Sequence, residues 1–239
     1  LFSALLAVKD QAERYNIGCS ETSFILLEVG FAYTVAMAVD KGRIVDSIGG
    51  TTGGLGYLGM GGMDSELAYA LSNALPNFSK QLLFSGGATS VADVDPSDVS
   101  PDEFVKLSKT DDRIGKAYDA LIESALKDLA MLLTTLPQPS EIILSGRFMR
   151  VQTFLEDLKT KLQDFSQNFG WKIGVRTLGR RAENVKEGAE GAAVLANGIA
   201  GGKYSPLIEV MDLKRSSGTI LDYICLEKDL VKKLRERYS

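Results

Sequence analysis

Histidine is absent from the 239-residue chain, and this decides which residues are left to do chemistry. Ser-His-Asp and Cys-His nucleophiles, imidazole acid–base catalysis and most zinc sites all need that ring. Cys19 and Cys225 are too few for a disulfide framework and too far apart for a zinc pattern, which points to a reducing cytoplasm. Carboxylates, Lys and Arg, hydroxyls, backbone amides and hard metal ions remain. They gather in three places. Glu28 interrupts the apolar run 24–29, and Gly30 follows it. Residues 49–62 hold eight of the 24 glycines, with Thr51 and Thr52 among them; such density implies a backbone that bends repeatedly or approaches something closely. Ser145, Gly146, Arg147 and Arg150 end a later apolar run, and Arg180 and Arg181 follow the next one. Two arginine pairs at one sheet edge would make an anion site; ordinary solvated arginines are the alternative.

Other patterns carry less. Gly54-Leu55-Gly56-Tyr57-Leu58-Gly59 fits the dinucleotide fingerprint, yet it follows a hairpin and opens no helix from a parallel strand. No lysine follows a glycine cluster in the manner of a P-loop. Asp93, Asp95 and Asp98 lack the glycine and terminal glutamate of a calcium loop and read as a solvated acidic stretch.

The elements that must position these residues can be read from periodicity. Residues 24–29 suit a strand buried on both faces. Residues 31–39 alternate large with small side chains, as a strand does. Asp40-Lys41-Gly42 reads as a three-residue hairpin turn, and 43–48 as the returning strand. Ahead of them, residues 1–15 have helical spacing and no strand before them to lean on, so the partner of that helix is expected upstream. Asp64 is placed to cap a helix that Pro76 stops, and Ser100-Pro101 with Glu103 to start another. Helical spacing runs from Ile114 to Leu132. Residues 141–145 and 171–176 read as strands, 151–162 and 182–200 as helices, the last rich in Gly and Ala. Strand-helix-strand-helix order implies parallel strands with right-handed crossovers, whose ligands bind beyond the strands' carboxyl ends. The tail offers a strand at 219–224 and a charged helix with a solvated face.

A net charge of −4 argues against a general nucleic-acid or anionic-membrane role, and no apolar run is long enough to span a bilayer. The length allows one large or two intimate lobes.

The element order and three motifs together resemble one lobe of the actin-like ATPase superfamily, which holds sugar kinases, acetate and butyrate kinases and the Hsp70 chaperones. Residues 24–50, FILLEVGFAYTVAMAVDKGRIVDSIGG, resemble its second phosphate-binding hairpin. Residues 140–150, SEIILSGRFMR, resemble its adenosine motif. Residues 186–204, KEGAEGAAVLANGIAGGKY, are similar to the closing helix of butyrate kinases and of an archaeal butyrate-kinase-like family. The resemblance implies a ribonuclease H-like α/β lobe with a mixed five-stranded sheet, a three-strand meander plus two parallel strands. Its parts would be a linker helix at 1–19, the lobe at 20–75 and 140–205, a helical insertion at 76–139 and an extension at 206–239.

It further implies ATP and Mg²⁺ as cofactors and a small carboxylate or sugar-like molecule as phosphoryl acceptor. Glu28 would hold a metal-bound water, the Gly30 amide would face the terminal phosphate, and Thr51, Thr52, Gly53 and Gly54 would lie near the acceptor. Ser145, Gly146 and Arg147 would bound the adenosine, with Glu183 and Lys186 beside it. Acetate and butyrate kinases carry a histidine where this chain has Glu28; a strand carboxylate paired to a nearby Arg or Lys is the plainer reading of that residue. The superfamily's first phosphate hairpin, Asp-x-Gly-Thr, is not found. The expectation is therefore either a C-terminal kinase lobe completed by an N-terminal lobe elsewhere, or a nucleotide-responsive module without turnover. An exposed apolar face on such a lobe would also permit a homodimer.

Overall fold

The computed structural model describes every residue except Asn77, Arg180, Arg181, Glu183, Ser217 and Ser239. Strands β1 (Ser23–Val29), β2 (Thr34–Asp40) and β3 (Arg43–Gly49) form an antiparallel meander. Strands β4 (Glu141–Ser145) and β5 (Gly174–Thr177) add in parallel on the other side of β1, giving the order β3-β2-β1-β4-β5. The mixed five-stranded sheet is thus the one expected. Its helices are α1 (Phe2–Tyr15), α2 (Ser65–Ala74), α3 (Ala88–Ala92), α4 (Pro101–Leu107), α5 (Asp112–Thr135), α6 (Gln152–Asn168), α7 (Glu187–Ile199), α8 (Ser205–Val210), α9 (Ile220–Tyr223) and α10 (Lys228–Tyr238).

β1 is apolar because both its faces are covered. Ile25, Leu27 and Val29 pack with Leu121 and Leu129 of α5 and Phe154 and Leu158 of α6. Phe24 and Leu26 point the other way, into a layer built from Leu5, Leu6 and Val8 of α1, Val194 of α7 and Leu207 of α8. Helix α1 therefore packs on this sheet. Gln11 ties its far end down: its Oε1 accepts from the Ser23 amide and its Nε2 donates to Glu141, each at 2.8 Å. Arg14 also reaches Glu141. At the near end the Phe2 backbone fits against Gly191 of α7, where a Cβ would come within 2.1 Å of the Phe2 carbonyl. In the stretch read as an insertion, α5 lies across β1, β2 and β3 and supplies the core of that face.

Several boundaries differ from the expectation, each for a local reason. The second strand starts at Thr34, because the Gly30 amide donates to the Tyr33 carbonyl at 3.0 Å and closes a tight turn over 30–33. The hairpin turn has two residues, not three: Lys41 and Gly42 take φ of 50° and 73°, the pair of positive values that a type I′ turn demands. β5 starts at Gly174, since Trp171 stacks on Phe169 and meets Phe165 at the end of α6. Helix α7 begins at Glu187, later than 182. The tail segment at 219–224 is a helical turn, not a strand: Thr219 and Asp222 form a reciprocal capping box around it. Asp64 and Ser100 cap α2 and α4 as read.

The glycine-rich segment is held from below by Asp128, which is fully buried on α5. Its Oδ1 accepts from the Gly54 amide at 2.9 Å, while its Oδ2 has no partner. Burial raises the carboxyl above its ordinary 3.8, against the pull of the Gly54 amide. A raised folded pKa means stability that is complete below the unfolded value and lost as pH rises through the folded one. Asp128→Asn abolishes that titration. Its stability relative to wild type, from urea unfolding, should therefore grow from acid to neutral pH. A difference that stays flat would reject a buried charge at this position.

Candidate active site

β1 and β4 run in parallel and in register, so their carboxyl ends finish together, with Glu28 opposite Ser145. Neighbours in such a ladder share a face. Here it is the face under α1 and α7, because Leu26 and Ile143, two residues earlier on each strand, lie in that layer. Beyond the strand ends opens a crevice of about 530 Å³. Its floor and walls come from five places: Glu28, Gly30 and Phe31 at the end of β1, Gly146, Arg147, Arg150 and Val151 after β4, Lys186 to Ala189 at the start of α7, Pro101 and Asp102 at the start of α4, and Ser3 on α1.

Gly146 makes the strand ends meet. Its φ is 101°, and a Cβ there would stand 2.3 Å from the Val29 carbonyl oxygen. The chain then enters a 3₁₀ turn, Arg147–Arg150, that points two guanidinium groups at the crevice. Arg147 lies over the Phe31 ring at 4.8 Å, so the β1 and β4 loops share one wall. Arg150 pairs with Glu187 at 3.2 Å and ties that wall to α7. Behind it, Tyr57 packs against Phe31, Phe104 and Phe148. Burial pushes its phenol up to about 12, although Arg147 pulls the other way, and the proton is donated to the Val99 carbonyl at 2.8 Å.

The crevice is mixed in sign, with Arg147, Arg150 and Lys186 set against Glu28, Asp102 and Glu187. Glu28 is half-buried, and among the described residues it makes no ion pair and accepts no hydrogen bond. The paired strand carboxylate is therefore not what the structure shows. Helix α7 has Lys186 at its N-cap position and no side-chain cap, which leaves its first amides and its positive dipole end turned to the same space. The hydroxyl of Ser145, 2 % exposed, has no hydrogen-bond partner.

Of the residues selected from the sequence, Glu28, Gly30, Gly146, Arg147 and Lys186 line the crevice, and Ser145 sits buried at its edge. The Gly30 amide is already bonded to Tyr33 and is not free for a phosphate. Thr51, Thr52, Gly53 and Gly54 are not part of the crevice: Gly53 and Gly54 press on Asp128 and Ser124 of α5, and Thr52 folds back on Gly49. Glu183, Arg180 and Arg181 lie outside the described residues. Ser3, Phe31, Asp102 and Glu187 were not singled out. For Phe31 a signal existed, an aromatic directly after Glu28-Val29-Gly30; Ser3 and Asp102 are near in space only.

The family described as "Protein of unknown function (DUF1464)" matches residues 1–226. No curated protein matches the sequence. Among solved structures, an acetate kinase from Porphyromonas gingivalis superposes with a TM-score of 0.61 at 15 % identity, over 80 % of this chain and 53 % of that one. A propionate kinase from Francisella tularensis subsp. tularensis SCHU S4 gives 0.59 at 14 %, over 74 % and 51 %. An acetate kinase from Entamoeba histolytica gives 0.58 at 13 %, over 69 % and 44 %. The chain thus spans about half the length of these kinases. At such identities the likeness is one of fold, the actin-like ATPase fold. Matched along nearly its whole length, the chain belongs to the DUF1464 family.

Proposed function

We propose that the crevice binds Mg²⁺-ATP and that this chain is the C-terminal lobe of an ATP-dependent phosphotransferase acting on a small carboxylate or sugar-like acceptor. The observation that carries the reading is Glu28, a carboxylate without a partner among the described residues, set in one crevice with Gly146, Arg147 and Lys186. The residues present fit the cofactor. Mg²⁺ keeps most of its waters and rests on one or two carboxylates plus phosphate, and Glu28 supplies a carboxylate to the crevice.

Metal-bound ATP would bring the transferable phosphoryl group and part of its countercharge. Glu28 would hold the cation's water shell. Lys186, Arg147 and the open start of α7 would face the phosphates, where positive charge and amides favour the developing transition state. The strand end at Ser145 and Gly146 would bound the nucleoside, and the Phe31–Arg147 wall would keep water from one side. A second lobe would be needed to present the acceptor.

A nucleotide-responsive module without turnover is the second reading, favoured by Glu28 standing where acetate and butyrate kinases carry a histidine. Thermal shift of the full-length polypeptide with Mg²⁺-ATP tests both. At 100 times its dissociation constant a ligand stabilises by about 2.7 kcal/mol, and no shift would count against either reading. Phosphoryl transfer to any of a panel of acyl and sugar acceptors would then select the first.

A further inference from the structure

Ser145 closes β4 and is 2 % exposed, and its hydroxyl has no hydrogen-bond partner among the described residues. Buried hydroxyls in folded proteins are nearly always bonded, so an orphan here needs a reason. The ladder supplies one. Ser145 stands directly opposite Glu28 on the parallel neighbour β1, and both face the layer under α1 and α7. Its other neighbours in the sheet on that face are apolar. They are Ile143, two residues earlier on β4, and Leu178, just past β5, whose amide donates to the Leu144 carbonyl. Glu28 is the polar side chain that the sheet sets beside this hydroxyl, and it too accepts no hydrogen bond among the described residues.

Adjacent strands lie about 4.8 Å apart, and a turn of either side chain about its own bonds closes that gap to hydrogen-bond length. Glu28 is half-buried, so water can satisfy its carboxylate while the crevice is open. A ligand that fills the crevice expels water, and a charge held in a drier site needs a fixed donor. Ser145 can donate and Glu28 can only accept; a hydroxyl on a carboxylate is among the strong hydrogen bonds. We propose that Ser145 is a positioning residue: in the filled crevice its hydroxyl donates to the Glu28 carboxylate and fixes the direction in which that group points. The inference rests on the crevice taking Mg²⁺-ATP and on Glu28 serving transfer there.

The test is a double-mutant cycle in the full-length polypeptide, with single-turnover phosphoryl transfer and the dissociation constant of Mg²⁺-ATP measured on each variant. Ser145→Ala should slow transfer by about tenfold to a hundredfold, the size of one hydrogen bond to a charged group. It should leave nucleotide affinity unchanged, because the side chain is turned to Glu28 and only the strand end itself would bound the nucleoside. In a Glu28→Ala background the same substitution should cost nothing, since the acceptor is gone. The unfolding midpoint of Ser145→Ala without ligand should stay level or rise, as no protein bond is lost. Equal losses of transfer in the two backgrounds overturn the assignment, as does weakened nucleotide binding in Ser145→Ala, which would mean a direct contact to the ligand. A structure of the Mg²⁺-ATP complex gives a readout independent of turnover. Ser145 Oγ within hydrogen-bond distance of a Glu28 carboxylate oxygen supports the role; the two apart rejects it while the nucleotide site stands. If the wild-type chain binds no nucleotide, both fail together.

Discussion

Glu28→Ala in the full-length polypeptide should lower phosphoryl transfer by about a hundredfold to a thousandfold while changing nucleotide affinity only a few-fold. The asymmetry follows from where the charge moves. A nucleotide in the crevice would meet many of its groups through base, ribose and inner phosphates, and Glu28 would be one among them. Under the proposed function Glu28 would steady a cation whose countercharge matters most for charge developing during transfer, so the loss should fall on the transition state more than on binding. The change should be silent in stability, because Glu28 is half-buried and no residue of the described chain leans on its carboxylate. Glu28→Gln keeps the shape and removes the charge, and should be nearly as slow. Single-turnover rates and nucleotide dissociation constants measured on the same preparations decide it; turnover equal to wild type removes Glu28 from the mechanism.

Gly146→Ala should unfold or nearly unfold the lobe. Two penalties add there. A φ of 101° is strained for any L side chain, roughly 1–3 kcal/mol. The new methyl would also stand 2.3 Å from the Val29 oxygen and 2.6 Å from its carbonyl carbon, inside the buried end of β1, an overpacking worth about 1–3 kcal/mol more. Gly170 provides the control, since its φ is 67° but nothing lies within 4 Å of a Cβ built there. Gly170→Ala should therefore carry the conformational penalty alone, about 1–2 kcal/mol. Denaturant unfolding of the two variants separates the terms. Equal losses would mean that β1 yields to the methyl and that the close approach of the strand ends is dispensable.

The meander and the strand ending in Ser145 were legible because each encodes itself locally: an unbroken apolar run for a strand covered on both faces, and a turn whose residues tolerate positive φ. The glycine-rich stretch misled for a physical reason. Glycine density reports that a backbone comes close to something, without saying to what. Here the answer is other backbone: a Cβ on Gly56 would meet the Ala32 carbonyl at 2.5 Å, and one on Gly61 the Gly54 carbonyl at 2.4 Å. The loop packs upon itself and upon α5, so Thr51 and Thr52 stand apart from the crevice. Helix α1 failed differently. An amphipathic helix states how wide its apolar stripe is, not which sheet will receive it, and Ser3 on its first turn looked like any polar position. The α9 turn had a readable signal, Thr219 three residues before Asp222, but the short apolar run Ile220-Leu221 outweighed it.

The seam between β1 and β4 joins residues more than a hundred positions apart in the chain, and Glu28 and Gly146 flank it. Early folding can close the hairpins, whose partners are near in sequence, but the entropy of bringing such distant segments together is met only late. The crevice consequently has no precursor: a half-folded chain holds its two halves apart. The crevice is complete all at once, with the last long-range pairing.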